Sequence, residues 1–276
     1  MISSAQRTHR GYIRKQNEDS ILCHPDYNMF VVADGMGGHS AGDLASQSIV
    51  EELLQLQLEE KDLQCSLDQI EAALLKANDN IHSGRLFETN KPKKYKLKHN
   101  KLSSLKLLKN PLKKKSDANK ETEGEEQQQI RVAGSTVVIA YIVDDLCSCL
   151  WVGDSRLYIY RNDKLYQITK DHSLVQEMLD NGELTQDEAV LHPQSNVITR
   201  AIGVEEHLKI DINQFTIQKG DKLLLCSDGL YNELTSEIIV ASLQEDKTDH
   251  IANKLLGEVL LREASDNVSI IVVEKQ

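Results

Sequence analysis

Short apolar runs alternate with helical stripes along this chain, and several of the runs stop at an aspartate. Phe30-Val31-Val32-Ala33 predicts a buried strand ended by Asp34-Gly35. A helix beginning at Ser40, with Asp43 as its capping-box partner, carries Ala41, Ala45, Ile49, Leu53 and Leu56 on one face. A second helix starting near Ser66 has the stripe Leu67, Ile70, Leu74, Ala77 and Ile81. Thr136 to Val143 is rich in β-branched residues, Asp144-Asp145 turns the chain, and Leu146 to Val152 returns it. A further hairpin joins Leu157–Tyr160 to Leu165–Ile168 through residues 161–164. Residues 173–192 predict two short helices, the first ended by Gly182 and the second capped by Thr185 with Glu188. Leu223 to Cys226 is a strand stopped by Ser227-Asp228-Gly229. A helix bearing Ile251, Leu255, Leu256, Val259 and Leu260 then leads to a final strand, Val268 to Val273. Strands mixed with paired helices predict an α+β fold with antiparallel sheets.

Residues 84–130 break this order. Within them, 91–120 holds twelve lysines and one acid, Asp117, and a Glu/Gln-rich stretch follows. The chain's net charge is −11, so the other residues, with 20 basic and 42 acidic side chains, are strongly acidic. An acidic body argues against nucleic acid as the main partner of the core. The Lys-rich insertion reads either as a solvated surface loop or as a basic arm for an anionic surface or an acidic partner. Five cysteines form no even framework and no CxxC, which fits a reduced compartment. No transmembrane segment is expected, because no run approaches 18 apolar residues, and the first residues carry no apolar signal core. The expected location is the cytoplasm, with an export route that uses no N-terminal signal left open.

Four carboxylates sit at the ends of apolar runs: Asp34, Asp154, Asp228 and Asp266. One Asp-Gly is an ordinary turn. Four aspartates at strand termini, if the ends converge, place like charges within a few ångströms, and such charges need cations between them. An all-oxygen set suits hard cations such as Mg²⁺ or Mn²⁺, and no His/Cys cluster of the zinc type is present.

Eight motifs occur in order: Arg14-Lys15-Gln16-Asn17-Glu18-Asp19, Val32-Ala33-Asp34-Gly35-Met36-Gly37-Gly38-His39, Gly134-Ser135-Thr136, Val152-Gly153-Asp154-Ser155-Arg156, Asp171-His172-Ser173, Ile198-Thr199-Arg200-Ala201-Ile202-Gly203, Cys226-Ser227-Asp228-Gly229-Leu230 and Ser265-Asp266-Asn267-Val268-Ser269. Over essentially the whole chain outside 84–130, the sequence resembles the metal-dependent protein phosphatases (PPM, or type 2C) in their compact bacterial form. The resemblance implies one domain over 1–276, an α-β-β-α sandwich with two antiparallel sheets inside helix pairs and a binuclear metal centre at one end. It implies that Asp34 bridges two ions, that the Gly35 carbonyl completes one site, and that Asp228 and Asp266 hold the other. Glu18 and Asp19 match an acidic pair acting through metal-bound water. Asp154 matches a third, weaker metal position, and Arg14 matches the arginine that grips the substrate phosphate. His39 is either a proton donor to the leaving group or a cap of the helix after it. His172 reads as a structural turn residue, and Arg156 and Arg200 as members of internal ion pairs that hold Asp154 and the nearby loop. Residues 171–203 correspond to a flap beside the site.

The implied chemistry is hydrolysis of phosphoserine and phosphothreonine by direct attack of a metal-bridging hydroxide, opposing a Ser/Thr kinase. Two Mn²⁺ or Mg²⁺ ions, with a third at the weaker position, activate the water and clamp the phosphate, and the planar guanidinium of Arg14 binds two phosphate oxygens at once. Two alternatives stand beside this: a non-catalytic binding module on the same fold, and a metallo-hydrolase of a small phosphate ester. Asn232, four residues after Asp228, departs from the family pattern, where many members carry a further aspartate.

Overall fold

The computed structural model describes residues 1–37, 41–58, 62–86 and 133–276. The Lys-rich insertion, His39 and Ser40 lie outside the described residues. The expected hairpins are present. β5 (Val137–Val143) turns through Asp144, at φ +53°, into β6 (Leu146–Val152). β7 (Arg156–Arg161) turns through Asn162 and Asp163, both at positive φ, into β8 (Lys164–Gln167). Two consecutive left-handed residues match the right-handed twist of the flanking strands.

The strands form two antiparallel sheets. One has the order β1 (Ile2–His9), β11 (Val268–Lys275), β10 (Lys222–Cys226), β7, β8. The other has the order β2 (Asp19–His24), β3 (Met29–Met36), β5, β6, β9 (Asp211–Thr216), and the short β4 (Gly134–Ser135) adds to β3. Phe30, Val32, Val138, Leu157, Leu225 and Ile271 pack between the sheets. The opposite face of the second sheet is covered by α1 (Ala41–Leu54) and α2 (Leu63–His82), whose Ile49, Leu53, Ile70 and Leu74 meet Val31 and Ile139. The outer face of the first sheet is covered by α6 (Ser236–Leu243) and α7 (Thr248–Leu260), through Ile239, Leu243, Ile251 and Leu255 against Leu224 and Ile270. The layers are therefore α-β-β-α, as expected. Strands buried on both faces explain why their sequences read as continuous apolar runs.

Three local expectations are corrected. Asp34-Gly35 does not stop its strand: β3 continues to Met36, because Gly35 and Met36 pair with Ser135 and Gly134. The second helix begins at Leu63, not near Ser66, because Asp62 caps it by accepting from the Cys65 amide. Leu56 lies beyond the end of α1. Between β8 and β9 the flap carries α3 (Leu174–Asp180) and α4 (Gln186–Val190), and the Thr185–Glu188 capping box is present. A single turn, α5 (Asp228–Tyr231), follows β10.

Candidate metal centre

Strand pairing alone brings most of the acids together. Asp19 and Asp34 are partners in the β2–β3 register. Asp228 opens α5 directly after β10, and Asp266 stands just before β11, the neighbour of β10. Asp154 follows β6 and precedes β7. All these ends face one end of the sandwich, where a cavity of about 320 Å³ is lined by Arg14, Glu18, Asp34, Asp154, Asp228 and Asp266, with Asn196 and Ile198 of the flap on its wall. Asp19 does not line the cavity; it is 7% exposed and sits behind, accepting from the Ser227 hydroxyl at 2.9 Å.

The backbone is packed tightly around Asp34. A Cβ on Gly35 would lie 2.1 Å from the Gly42 carbonyl oxygen and 2.6 Å from that of Glu18, so only glycine lets α1 and the Glu18 segment approach this closely. The Gly35 amide donates to the Glu18 carbonyl at 3.1 Å. The Asp34 carbonyl accepts from the Thr136 amide at 2.9 Å and from the Ser135 hydroxyl at 2.9 Å. Asn267 fixes the segment carrying Arg14: its amide group donates to the carbonyls of Arg10 and Gln16 at 2.9 and 3.0 Å, and its oxygen accepts from the Glu18 amide at 2.7 Å. Asn267 and Thr136 lie inside the motifs, adjacent to the expected ligands or to their partner strands. Their roles were invisible because they bond to backbone atoms far away in sequence.

Electrostatically the cluster is under strain. Burial pushes Asp34 well above the usual carboxylate range, and repulsion from Asp19, Asp228, Asp154 and Asp266 adds to it. Burial, then repulsion from Asp154 and Asp266, pushes Asp228 up to about 8. Asp154 rises to about 6 through burial and the nearby Asp171, and Asp19 to about 6 through burial. Oδ1 of Asp19 and Oδ1 of Asp228 are buried with no hydrogen-bond partner among the described residues. Buried oxygens of this kind are costly unless a cation meets them. Arg14, the guanidinium lining the cavity among the described residues, bonds Asp266 Oδ2 at 2.6 Å and is half exposed, and among the described residues it forms no ion pair with Asp34, Asp154 or Asp228.

This donor set fits divalent cations. It is all oxygen, it carries excess negative charge, and Asp228 Oδ1 is buried and unpaired among the described residues. Among the described residues no group of three or more His, Cys, Asp or Glu side chains closes tightly enough to hold an ion by itself. A Mg²⁺-type ion needs no such cage, since it keeps several waters and takes only one or two carboxylates.

The supporting arginines are where the sequence placed them, with one difference. Arg156 pairs with Asp171, Nη2 to Oδ2 at 2.6 Å, rather than with Asp154, and lies over the Tyr231 ring at 3.5 Å; the Tyr231 hydroxyl in turn donates to the Asp154 carbonyl at 3.1 Å. Arg200 pairs with Asp211 at 3.0 Å. Asn232 donates to Asp228 Oδ2 at 3.2 Å, so the neutral amide supports that carboxylate. Cys226 is fully buried and its thiol is pushed up to about 12 by burial, in keeping with a packing role.

Fold and site together define a metal-dependent phosphatase, and comparison with known proteins gives the family. The profile of the family described as protein phosphatase 2C matches residues 10–260, and the chain belongs to that family. It is 34% identical over 280 residues to a serine/threonine phosphatase, stp, of Listeria welshimeri, covering 98% of this chain and 94% of the relative. The crystal structure of the Mycobacterium tuberculosis serine/threonine phosphatase PstP/Ppp superimposes with a TM-score of 0.79 at 29% identity, covering 100% of this chain and 99% of that one. A structure of the PstP catalytic domain in complex with two manganese ions superimposes with a TM-score of 0.74 at 28% identity, covering 99% and 97%.

Proposed function

We propose that the acidic end of the sandwich is the active site of this protein phosphatase. The enzyme is a Mn²⁺/Mg²⁺-dependent serine/threonine phosphatase. Asp34, the Gly35 carbonyl, Asp228 and Asp266 hold its two ions, Asp154 serves a third and weaker position, and Glu18 and Asp19 support the site from beside and behind. The observation that carries this reading is the cavity where five carboxylates meet one guanidinium, with a buried Asp228 oxygen left unpaired. Bound there, the cations supply a water acidic enough to attack at neutral pH and neutralise the phosphate.

The chain's own residues supply the rest. Arg14, half exposed at the cavity mouth, binds two phosphate oxygens of the substrate when it leaves Asp266. Asp34 and Asp228, half-buried among other acids and hard to ionise without cations, favour divalent charge at the site. Ile198 and Asn196 narrow the cavity from the flap side. His39 lies outside the described residues; a donor to the leaving oxygen is the role the resemblance offers it.

The domain reading is one catalytic unit interrupted by the insertion, with 171–203 as its flap. Among the described residues no helix is long and apolar enough to cross a membrane. None of the five cysteines is paired, which supports a reducing compartment such as the cytoplasm, alongside a Ser/Thr kinase whose products this enzyme reverses. The basic charge of 91–120 supports a contact between the insertion and an anionic surface or an acidic partner. Deleting 86–128 should leave hydrolysis of a small aryl phosphate unchanged and weaken retention on anionic vesicles or an acidic protein; unchanged binding to both would reduce the segment to a linker. Phosphate release from phosphothreonine and phosphoserine peptides, dependent on Mn²⁺ or Mg²⁺ and lost in Asp228→Asn, tests the function. A folded Asp228→Asn with wild-type turnover would overturn the site assignment.

A further inference from the structure

The flap joins the acidic end through His172, which is 8% exposed. Gly153, directly before Asp154, has φ at +103° and lies against Thr136. Its amide donates to His172 Nδ1 at 2.9 Å, and its carbonyl accepts from the His172 amide at 3.0 Å. The same histidine closes the flap at its base. Its carbonyl accepts from the Thr199 amide at 2.8 Å, Ser173 bridges Ile198, and the Leu174 amide donates to the Val197 carbonyl at 2.9 Å. Asn196 and Ile198, held by this base, form the flap wall of the acidic cavity.

The hydrogen bonds fix the tautomer. Nδ1 accepts, so the ring proton is on Nε2, which donates to Asp211 Oδ2 at 3.2 Å. Arg200 Nη1 lies 3.0 Å from Nε2 and directs its hydrogen to Asp211 Oδ1 at 3.0 Å. Burial and the Arg200 charge both lower the His172 pKa, in keeping with a neutral ring, and Trp151 stacks alongside at a 6.1 Å centroid distance.

We propose that His172 is a positioning residue for the phosphatase reaction: its Nδ1 sets the Gly153–Asp154 turn while its backbone sets the Asn196–Ile198 wall, so the cation-binding end and the substrate wall keep one mutual geometry. The proposal rests on the reading of Asp154 and the cavity given above. It assigns to a turn residue the coupling of two parts of the site that are distant in sequence.

Two near-isosteric variants separate this role from plain packing. In His172→Asn the side-chain oxygen falls near the place of Nδ1 and can still accept from Gly153. In His172→Gln the amide falls near the place of Nε2, and Gly153 loses its acceptor. The readouts are amide exchange at Gly153, the Mn²⁺ concentration giving half-maximal thermal stabilisation, and KM for a phosphothreonine peptide. His172→Gln should speed Gly153 exchange about tenfold and raise both the Mn²⁺ half-saturation and the peptide KM about fivefold, the scale of one lost hydrogen bond. His172→Asn should stay within about twofold of wild type in all three. Equal behaviour of the two folded variants overturns the proposal, as does faster exchange with unchanged Mn²⁺ half-saturation and KM. The thermal-shift and exchange readouts do not depend on turnover. Failure of the phosphatase reading would instead appear as no phosphate release from wild type in Mn²⁺.

Discussion

β10 runs between two aspartates that the protein treats in opposite ways. Before the strand, Asp221 is gripped by Arg161, whose Nε lies 2.8 Å from Oδ1 and whose Nη2 closes on Oδ2, and it also accepts from the Gln218 amide. After the strand, Asp228 has one oxygen on the exposed Asn232 amide and the other buried without a partner, among acids that push its pKa up to about 8. At one end the chain supplies its own cation; at the other it assembles carboxylates and leaves the charge unbalanced. A fold able to pair Asp221 so fully could have paired Asp228 too. This imbalance supports the proposal that the acidic end is the functional one, with its missing charge supplied from outside the chain.

The comparison can be broken by exchanging the fates of the two ends. Asp228→Asn should lower turnover of a phosphothreonine peptide by on the order of 10³-fold while far-UV circular dichroism stays unchanged. Gly35→Ala should destabilise the protein by about 3 kcal/mol in urea unfolding, because the new methyl group meets backbone oxygen from two directions. Asp221→Asn should cost about 2 kcal/mol of stability, since it leaves the Arg161 charge half-paired, and should spare turnover in saturating Mn²⁺. Arg14→Lys, which keeps the charge and loses the planar fork, should raise the peptide KM about tenfold.

The smallest of these effects is the most specific to the acidic end. The folded protein holds Asp228, Asp34, Asp154 and Asp19 above their unfolded pKa values, so without cations it binds more protons than the unfolded chain. Stability is then fully present below the unfolded value near pH 4 and is lost as pH rises through about 6 for Asp154 and Asp19 and about 8 for Asp228. In EDTA the melting temperature should fall by a few degrees over that window. Mn²⁺ should remove the fall, and Asp228→Asn should flatten it. A melting temperature in EDTA that rises with pH across the window would mean the cluster is already neutralised within the chain.

The acidic end was legible because its residues sit where apolar runs stop, a pattern that depends on neighbours in sequence. Asp34, Asp154, Asp228 and Asp266 all line the one cavity. The hairpins and the stripes of α1, α2 and α7 were legible for the same local reason. β1, β2 and β9 were not. β1, β2 and β9 are edge strands rich in polar residues, such as Ser3-Ser4, Asp19-Ser20 and Asn213-Gln214. The continuation of β3 through Asp34-Gly35 was hidden because its partner, Gly134-Ser135, lies about a hundred residues away. Asn267, Thr136 and Tyr231 were missed for a related reason: each acts by a hydrogen bond to backbone that only the fold brings near.

Phosphate release from a phosphothreonine peptide by the purified chain, in Mn²⁺ and in EDTA, for wild type, Asp228→Asn and Asp221→Asn together, tests the account most directly. Release by wild type and Asp221→Asn in Mn²⁺, and by none of the three in EDTA or by Asp228→Asn in either, is the predicted result. Release by wild type in EDTA, or equal release by Asp228→Asn and Asp221→Asn in Mn²⁺, would contradict it.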